Sequence, residues 1–325
     1  MSQEGAYVLA LVWADGSDAN PYRGDAAIRE WALAGVRAGA RSARRDGSCD
    51  DFYPGERALG AASFALLAGL RTLELLDADD ADIEGFLKKR AGWLADRAES
   101  GRLANHEALV ALCLTIAAAR WGDRRFAHAA AQRLDRLFSW RDEEGWFDEY
   151  DGCDLGYLTL TLGCLADIRA IAPDARIPGA LDAGWAMIHD HQTPDGMVGG
   201  ELNSRDTWNF FPHGAETAAT PQSLAANDAL ARAVSEDRAA CHAEDHALSH
   251  HLWSYLEAAR RWRVERPPTP PKPEVAWAER AGRLVLRRGG ATLAAATKKG
   301  GVFRLYRGDA LIASDTQLAV DRDGD

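Results

Sequence analysis

The chain has 325 residues, 47% of them hydrophobic and 27% charged, the make-up of a globular protein and not of a disordered one. Its 38 Lys and Arg stand against 49 Asp and Glu, a net charge of −11. That charge gives no pull on the phosphates of DNA or RNA and disfavours anionic lipid. No apolar run approaches the ~20 residues of a membrane span, so neither nucleic acid nor membrane insertion is expected.

Residues 1–16 hold a short apolar stretch with no Lys or Arg ahead of it, so no secretory signal is expected. The five cysteines, Cys49, Cys113, Cys153, Cys164 and Cys241, are scattered and form no CxxC pair. Reduced thiols in a cytoplasmic protein, without a disulfide frame or a zinc site, are the expectation.

Residues 1–264 read as helices. Segments 60–76, 104–121, 155–171 and 214–234 are rich in Ala and Leu nearly all round, the mark of buried helices. Segments 25–43, 83–98, 124–140, 178–191 and 244–263 are amphipathic and alternate with them. Pro178 and Pro221 suit first-turn positions. A weak repeat runs through the set: a DG or EG turn, acidic or aromatic residues, then an apolar helix. It begins at Asp46, at Glu144 and at Asp195. Nine or ten helices, buried and half-buried in turn, predict helical hairpins in a ring: an α/α toroid, either incomplete or of the six-hairpin type. Residues 265–274 form a stiff proline-rich linker. Residues 275–325 read as short strands between Gly-rich turns, either a small sheet packed on the toroid or the start of a β-sandwich.

Three stretches concentrate chemistry. In Asn105-His106-Glu107, Asn105 either caps the helix that follows or joins His106 as a carboxylate clamp at a helix N-terminus. In residues 145–158, the acids Asp148, Glu149, Asp151 and Asp154 and the aromatics Trp146, Phe147, Tyr150 and Tyr157 crowd one loop and helix start. A capped helix entrance with Asp154 as cap accounts for part of that density. Residues 199–214 bring Glu201, Asn203, Arg205, Trp208, Phe210 and His213 into a long loop, and long polar–aromatic loops are commonly functional. Arg205 bridging Glu201 or Asp206 is the purely structural alternative. Asp77-Ala78-Asp79-Asp80 fits the DxDD pattern of class II terpenoid cyclases, but it stands in a helix–helix turn where acids are simply solvated and cap the next helix. His242, His246, His250 and His251 recur at helical spacing without a carboxylate or Cys motif to specify a metal. Neither a metal nor a cofactor is expected.

The Asn105-His106 pair opening a helix, and the acidic–aromatic loop followed by Gly156-Tyr157 before another, resemble heparinase II/III-type polysaccharide lyases and related alginate lyases. The order Asn-His, then Tyr, then helices, then strands is kept over nearly the whole chain. The resemblance implies β-elimination on a uronic-acid-containing poly- or oligosaccharide. It gives Asn105 and His106 the substrate carboxylate and the developing enolate, Tyr157 the proton transfers, and Arg205 or His213 the support of its phenolate. Trp146, Glu149, Tyr150, Glu201, Asn203, Trp208 and Phe210 would then bind the sugars. The acid-rich loops keep a glycoside hydrolase open, with a carboxylate pair drawn from Asp51, Glu56, Asp148, Glu149, Asp151 and Glu201. A non-catalytic glycan-binding or polysaccharide-assembly protein is the third possibility.

Overall fold

The computed structural model describes residues 3–238 and 245–315, with backbone alone for 245–249. Among the described residues eleven α-helices precede five strands. Short polar side chains set the helix starts. Asp25 accepts the Ala27 and Ile28 N–H groups to open α2 (Ala26–Ser42), and Asp80, Asp123 and Asp154 do the same for α4 (Ala81–Ala95), α6 (Arg124–Phe138) and α7 (Leu155–Ile171). Each satisfies backbone donors that a helix leaves unpaired at its first turn. Thr220 and Ser223 cap each other reciprocally at the start of α10 (Pro221–Ser235), with Pro221 in the first turn.

Most of the inner wall comes from the apolar-all-round segments. α1 (Glu4–Ala14), α3 (Leu59–Leu75), α5 (Ala104–Trp121), α7, α9 (His213–Ala218) and α11 (Asp245–Arg260) pack each on the next, and α11 returns to α1. α2, α4, α6, α8 (Ile177–His191) and α10 lie outside and show the one-sided burial of surface helices. The ring is closed by the Tyr7 hydroxyl donating to Glu257 Oε1 at 2.6 Å, with Tyr7 stacked on Trp253. The expected toroid is present and complete at this seam. Three details differ from expectation. The amphipathic segment 244–263 supplies α11 of the inner wall and not an outer helix. α1 belongs to the inner wall, although its short apolar run carries no clear helical period. Segment 214–234 is two helices, because Ala219 takes a left-handed φ of 56° and Pro221 restarts the chain.

At the mouth formed by the inner-helix C-termini, buried Asp167 lies between Arg71 (3.1 Å) and Arg261 (2.8 Å). The proline-rich stretch is strapped to the toroid by Arg266, which donates to Glu216 and Asp228. Beyond it β1 (Val275–Ala278), β2 (Arg283–Arg288), β3 (Ala291–Ala296), β4 (Val302–Arg307) and β5 (Ala310–Asp315) make one antiparallel meander. It packs on the toroid as a small sheet: Glu144 accepts the Arg280 and Ala281 N–H groups at 2.8 and 2.9 Å, and Arg283 donates to the Leu202 carbonyl and to Asn203.

Asp77–Asp80 is a helix–helix turn, with Asp80 capping α4 and bonded to Arg37. Of the histidine run, His242 lies outside the described residues, His246 is described by backbone alone, and His250 and His251 sit on α11. Cys241 also lies outside the described residues. Among the described residues no helix is long and apolar enough to cross a membrane, and no group of three or more His, Cys, Asp or Glu is placed to hold a metal ion.

Candidate functional site

The site lies where the inner helices begin. The loop between α6 and α7 folds back across the start of α5, bridging Glu149 to Leu103. Glu149 Oε2 accepts the Asn105 backbone N–H at 2.8 Å and Oε1 accepts Asn105 Nδ2 at 2.7 Å. The first turn of α5 is thus capped from the next hairpin by Glu149, and not by Asn105 itself. Asn105 is fully buried and its Oδ1 has no partner. The loop is tight enough to force left-handed φ at Tyr150 (54°) and Asp151 (58°), which costs backbone strain in non-glycine residues. It is pinned by Tyr150 N–H to the Arg102 carbonyl at 3.0 Å and by Ser204 Oγ to the Glu149 carbonyl at 2.6 Å.

Two carboxyls lie beneath this surface. Burial pushes Glu149 up to about 8, and the neighbouring Asp154 charge adds to the rise against the Asn105 bonds. Burial likewise raises Asp154 to about 6, although it accepts the Tyr157 N–H at 2.9 Å and the Arg205 N–H at 3.1 Å.

Above them the side chains reach the opening. Tyr157 and Tyr150 meet at 6.1 Å between ring centroids, and the Arg205 guanidinium lies 4.3 Å over the Tyr150 ring, a cation–π contact. Burial raises the Tyr157 phenol, while the Asn209 amide and the Arg205 charge pull it down. The Arg205 charge acts in the direction of the phenolate, but desolvation is the larger effect and the phenol stays above its ordinary value. On the other flank His106 Nδ1 lies 2.8 Å from Glu99 Oε2. The His106 ring passes so close to α3 that a Cβ on Gly60 would lie 2.6 Å from it. The loop before α3 belongs to the same rim. Glu56 Oε2 gathers the N–H groups of Asp51, Phe52 and Tyr53, leaving Phe52 76% and Tyr53 72% exposed.

Asn105, His106, Glu149, Tyr150, Tyr157 and Arg205 therefore come together, and several expected members do not. His213 packs inside the wall, with Nδ1 2.9 Å from Ser254 Oγ and its ring against Gly163. Burial brings it down to about 4, so at neutral pH it is no cation for a phenolate. Trp146 and Phe210 are buried, and cannot stack on a sugar; Trp146 Nε1 donates to Glu144. Asn203 is fully buried, accepting from Leu155 N–H and Arg283. Glu201 pairs with Arg304, whose guanidinium also covers one face of Trp208 at 3.9 Å. Asn203, Glu201 and Trp208 thus join the loop to the sheet instead of facing a ligand. Glu99, Phe52 and Tyr53 were not singled out from the sequence. A lone Glu before a helix carries no motif, whereas the paired aromatics in a DG-led loop were a signal that could have been read.

The inner helices run parallel, so their N-terminal dipoles converge on this mouth and favour negative charge there despite the acidic chain. No family profile matches the sequence, and no curated protein matches it. Solved structures do match in shape. Heparinase III superposes with a TM-score of 0.56 at 13% identity, over 88% of this chain and 47% of that one. A Streptomyces coelicolor A3 chondroitin AC lyase in complex with chondroitin sulphate gives 0.55 at 15% identity, over 90% and 45%. A glycosyl hydrolase family 88 protein from Bacteroides vulgatus gives 0.54 at 9% identity, over 80% and 90%. The chain spans less than half the length of the two lyases. The shared feature is the α/α toroid.

Proposed function

We propose that the protein is a carbohydrate-active enzyme that cleaves a uronic-acid-containing glycan by β-elimination at the N-terminal mouth of its ring. The observation that carries this reading is the accessible pair of phenols beside Arg205, in a loop region where the acids Asp148, Glu149, Asp154 and Glu201 are otherwise engaged. Glu149 is buried on the Asn105 N–H and side-chain amide and Asp154 on the Tyr157 and Arg205 N–H groups, Asp148 pairs with Arg102, and Glu201 pairs with Arg304. The C5 proton of a uronate is too weak an acid to leave unaided. In this reading Arg205 and the Glu99-held His106 neutralise the substrate carboxylate and the enolate that forms as the proton departs. Tyr157, as phenolate, takes that proton. The electron pair moves to C4–C5 and the bond to O4 breaks. Phe52 and Tyr53 offer flat apolar faces for sugar rings along the rim. Asn105 acts through Glu149 as a positioning residue.

The unsaturated uronate product absorbs in the ultraviolet, so turnover is read directly on a panel of uronate polymers. Tyr157→Phe should lower kcat by roughly 10²–10⁴, the usual share of a proton-transfer group. Because burial raises its phenol, the wild-type rate should climb toward alkaline pH. Failure to produce the absorbing product from any uronate polymer refutes elimination.

One observation favours hydrolysis as a second reading. Glu149 near 8 and Asp154 near 6 are two carboxyls with separated proton affinities, the pattern of an acid and a base. Release of reducing ends without ultraviolet absorbance, abolished by Glu149→Gln, would establish it. Glycan binding without turnover would leave a non-catalytic binder.

A further inference from the structure

The seam of the ring holds a second carboxylate-held imidazole. His250 on α11 places Nδ1 2.7 Å from Glu4 Oε1 in the first turn of α1. The acid side chain is 10% exposed and the imidazole 27%, so the carboxylate sits behind and the ring lies toward the opening. Phe64 of α3 meets the imidazole edge-on at 4.7 Å, Phe211 at 5.5 Å, and the His251 ring lies 5.3 Å away. His250 therefore reaches from α11 past α1 to α3, at the end where the inner helices begin. His106 packs on Gly60 and His250 on Phe64, one helical turn apart on α3.

The segment from Asn209 to Phe211 links Tyr157 to His250. The Asn209 amide stands beside the Tyr157 phenol, and the Phe211 ring stands against His250. Two residue steps span at most about 7 Å of backbone, so the phenol and the imidazole are neighbours of the same short segment.

We infer that His250, oriented by Glu4, is the acid that protonates the leaving O4 in the proposed elimination. The inference rests on that reading and assigns its second proton transfer. Tyr157 phenolate takes the C5 proton and becomes the phenol. The C4–O4 bond breaks with the pair on oxygen. The imidazolium gives its Nε2 proton to O4 and becomes neutral imidazole, and the two groups reset by exchange with water. Glu4 is a positioning residue, because it fixes Nδ1 and leaves Nε2 to face the substrate.

A leaving group that needs no proton tests this. On a uronate polymer, His250→Gln should lower kcat by about 10² or more. On a uronate carrying fluoride at C4, the same variant should run within a few-fold of wild type, while Tyr157→Phe stays inactive on both. Glu4→Gln should show a smaller loss with the same rescue by fluoride. The glycan-to-fluoride rate ratio is read on every variant that keeps the wild-type circular dichroism, with His250→Asn as a second substitution. An equal loss on both substrates, or no loss on either, overturns the role of His250 and leaves elimination by Tyr157 standing. A wild type inactive on both substrates removes the elimination reading and the inference together.

Discussion

Replacing Glu149 by Gln should make the protein more stable as pH rises, relative to wild type. In the folded chain burial holds the Glu149 proton up to about pH 8, whereas an unfolded glutamate releases it near 4.3. Between those values the native state binds the extra proton, so wild-type stability falls as pH climbs through the window. From pH 5 to pH 8 the loss from this one group is about 3–4 kcal/mol at 1.36 kcal/mol per unit. With 325 residues and about 2.1 cal/mol/K per residue of unfolding entropy, that is about 5 °C in Tm. Glutamine has no proton to release. It also fits the site: its Oε1 can accept the Asn105 N–H, and a flipped Asn105 amide can offer its unpartnered Oδ1 to the new NH2. Melting curves of both proteins from pH 5 to 8 are the assay. A Tm difference that widens by about 5 °C toward pH 8 is expected. A difference constant across the range would refute the buried-acid account.

Burial lowers His213 to about 4, so its sign is opposite. The unfolded imidazole charges below about 6.5 while the native one stays neutral, and about 3 kcal/mol of stability disappears as pH falls from 6.5 toward 4; His213→Gln should flatten that acid limb in denaturant titrations. Gly60→Ala drives a methyl into the His106 ring and should cut turnover by about tenfold or more, as expected of a misplaced catalytic group, with a Tm shift small enough to show an intact helix. Arg283→Met takes the Arg donor from the buried Leu202 carbonyl and leaves Asn203 Oδ1 with the Leu155 N–H alone; one buried polar group left unpaired costs about 1–3 kcal/mol, and the urea midpoint should fall accordingly.

The ring was legible because its cause is periodic. Segments 104–121 and 155–171 are apolar on every face, which only a helix buried between neighbours can satisfy, and α5 and α7 occupy those ranges. Asp154 as a cap follows from local spacing, whereas Tyr157 is singled out by the family resemblance. What escaped the sequence depends on partners far along the chain. Glu149 meets Asn105 across 44 residues, and His250 meets Glu4 across 246. Loop aromatics misled for a related reason. Trp146 and Phe210 have no repeat to declare which way they point, and both turn inward, while Phe52 and Tyr53 turn outward because Glu56 ties up the backbone beneath them.

The bond from Tyr7 to Glu257 spans 250 positions, and it bears on how the molecule is made. As the ribosome delivers the chain, the first rod emerges with its permanent neighbour still unsynthesised. Contacts of such long range are entropically slow to form, and a nascent chain with an open apolar flank is prone to aggregate. The newborn wall must remain an open arc until the final rod arrives. A strain starved of the chaperones that shield growing polypeptides should therefore accumulate insoluble product, whereas a rearranged gene that starts at α11 and runs on into α1 should be spared.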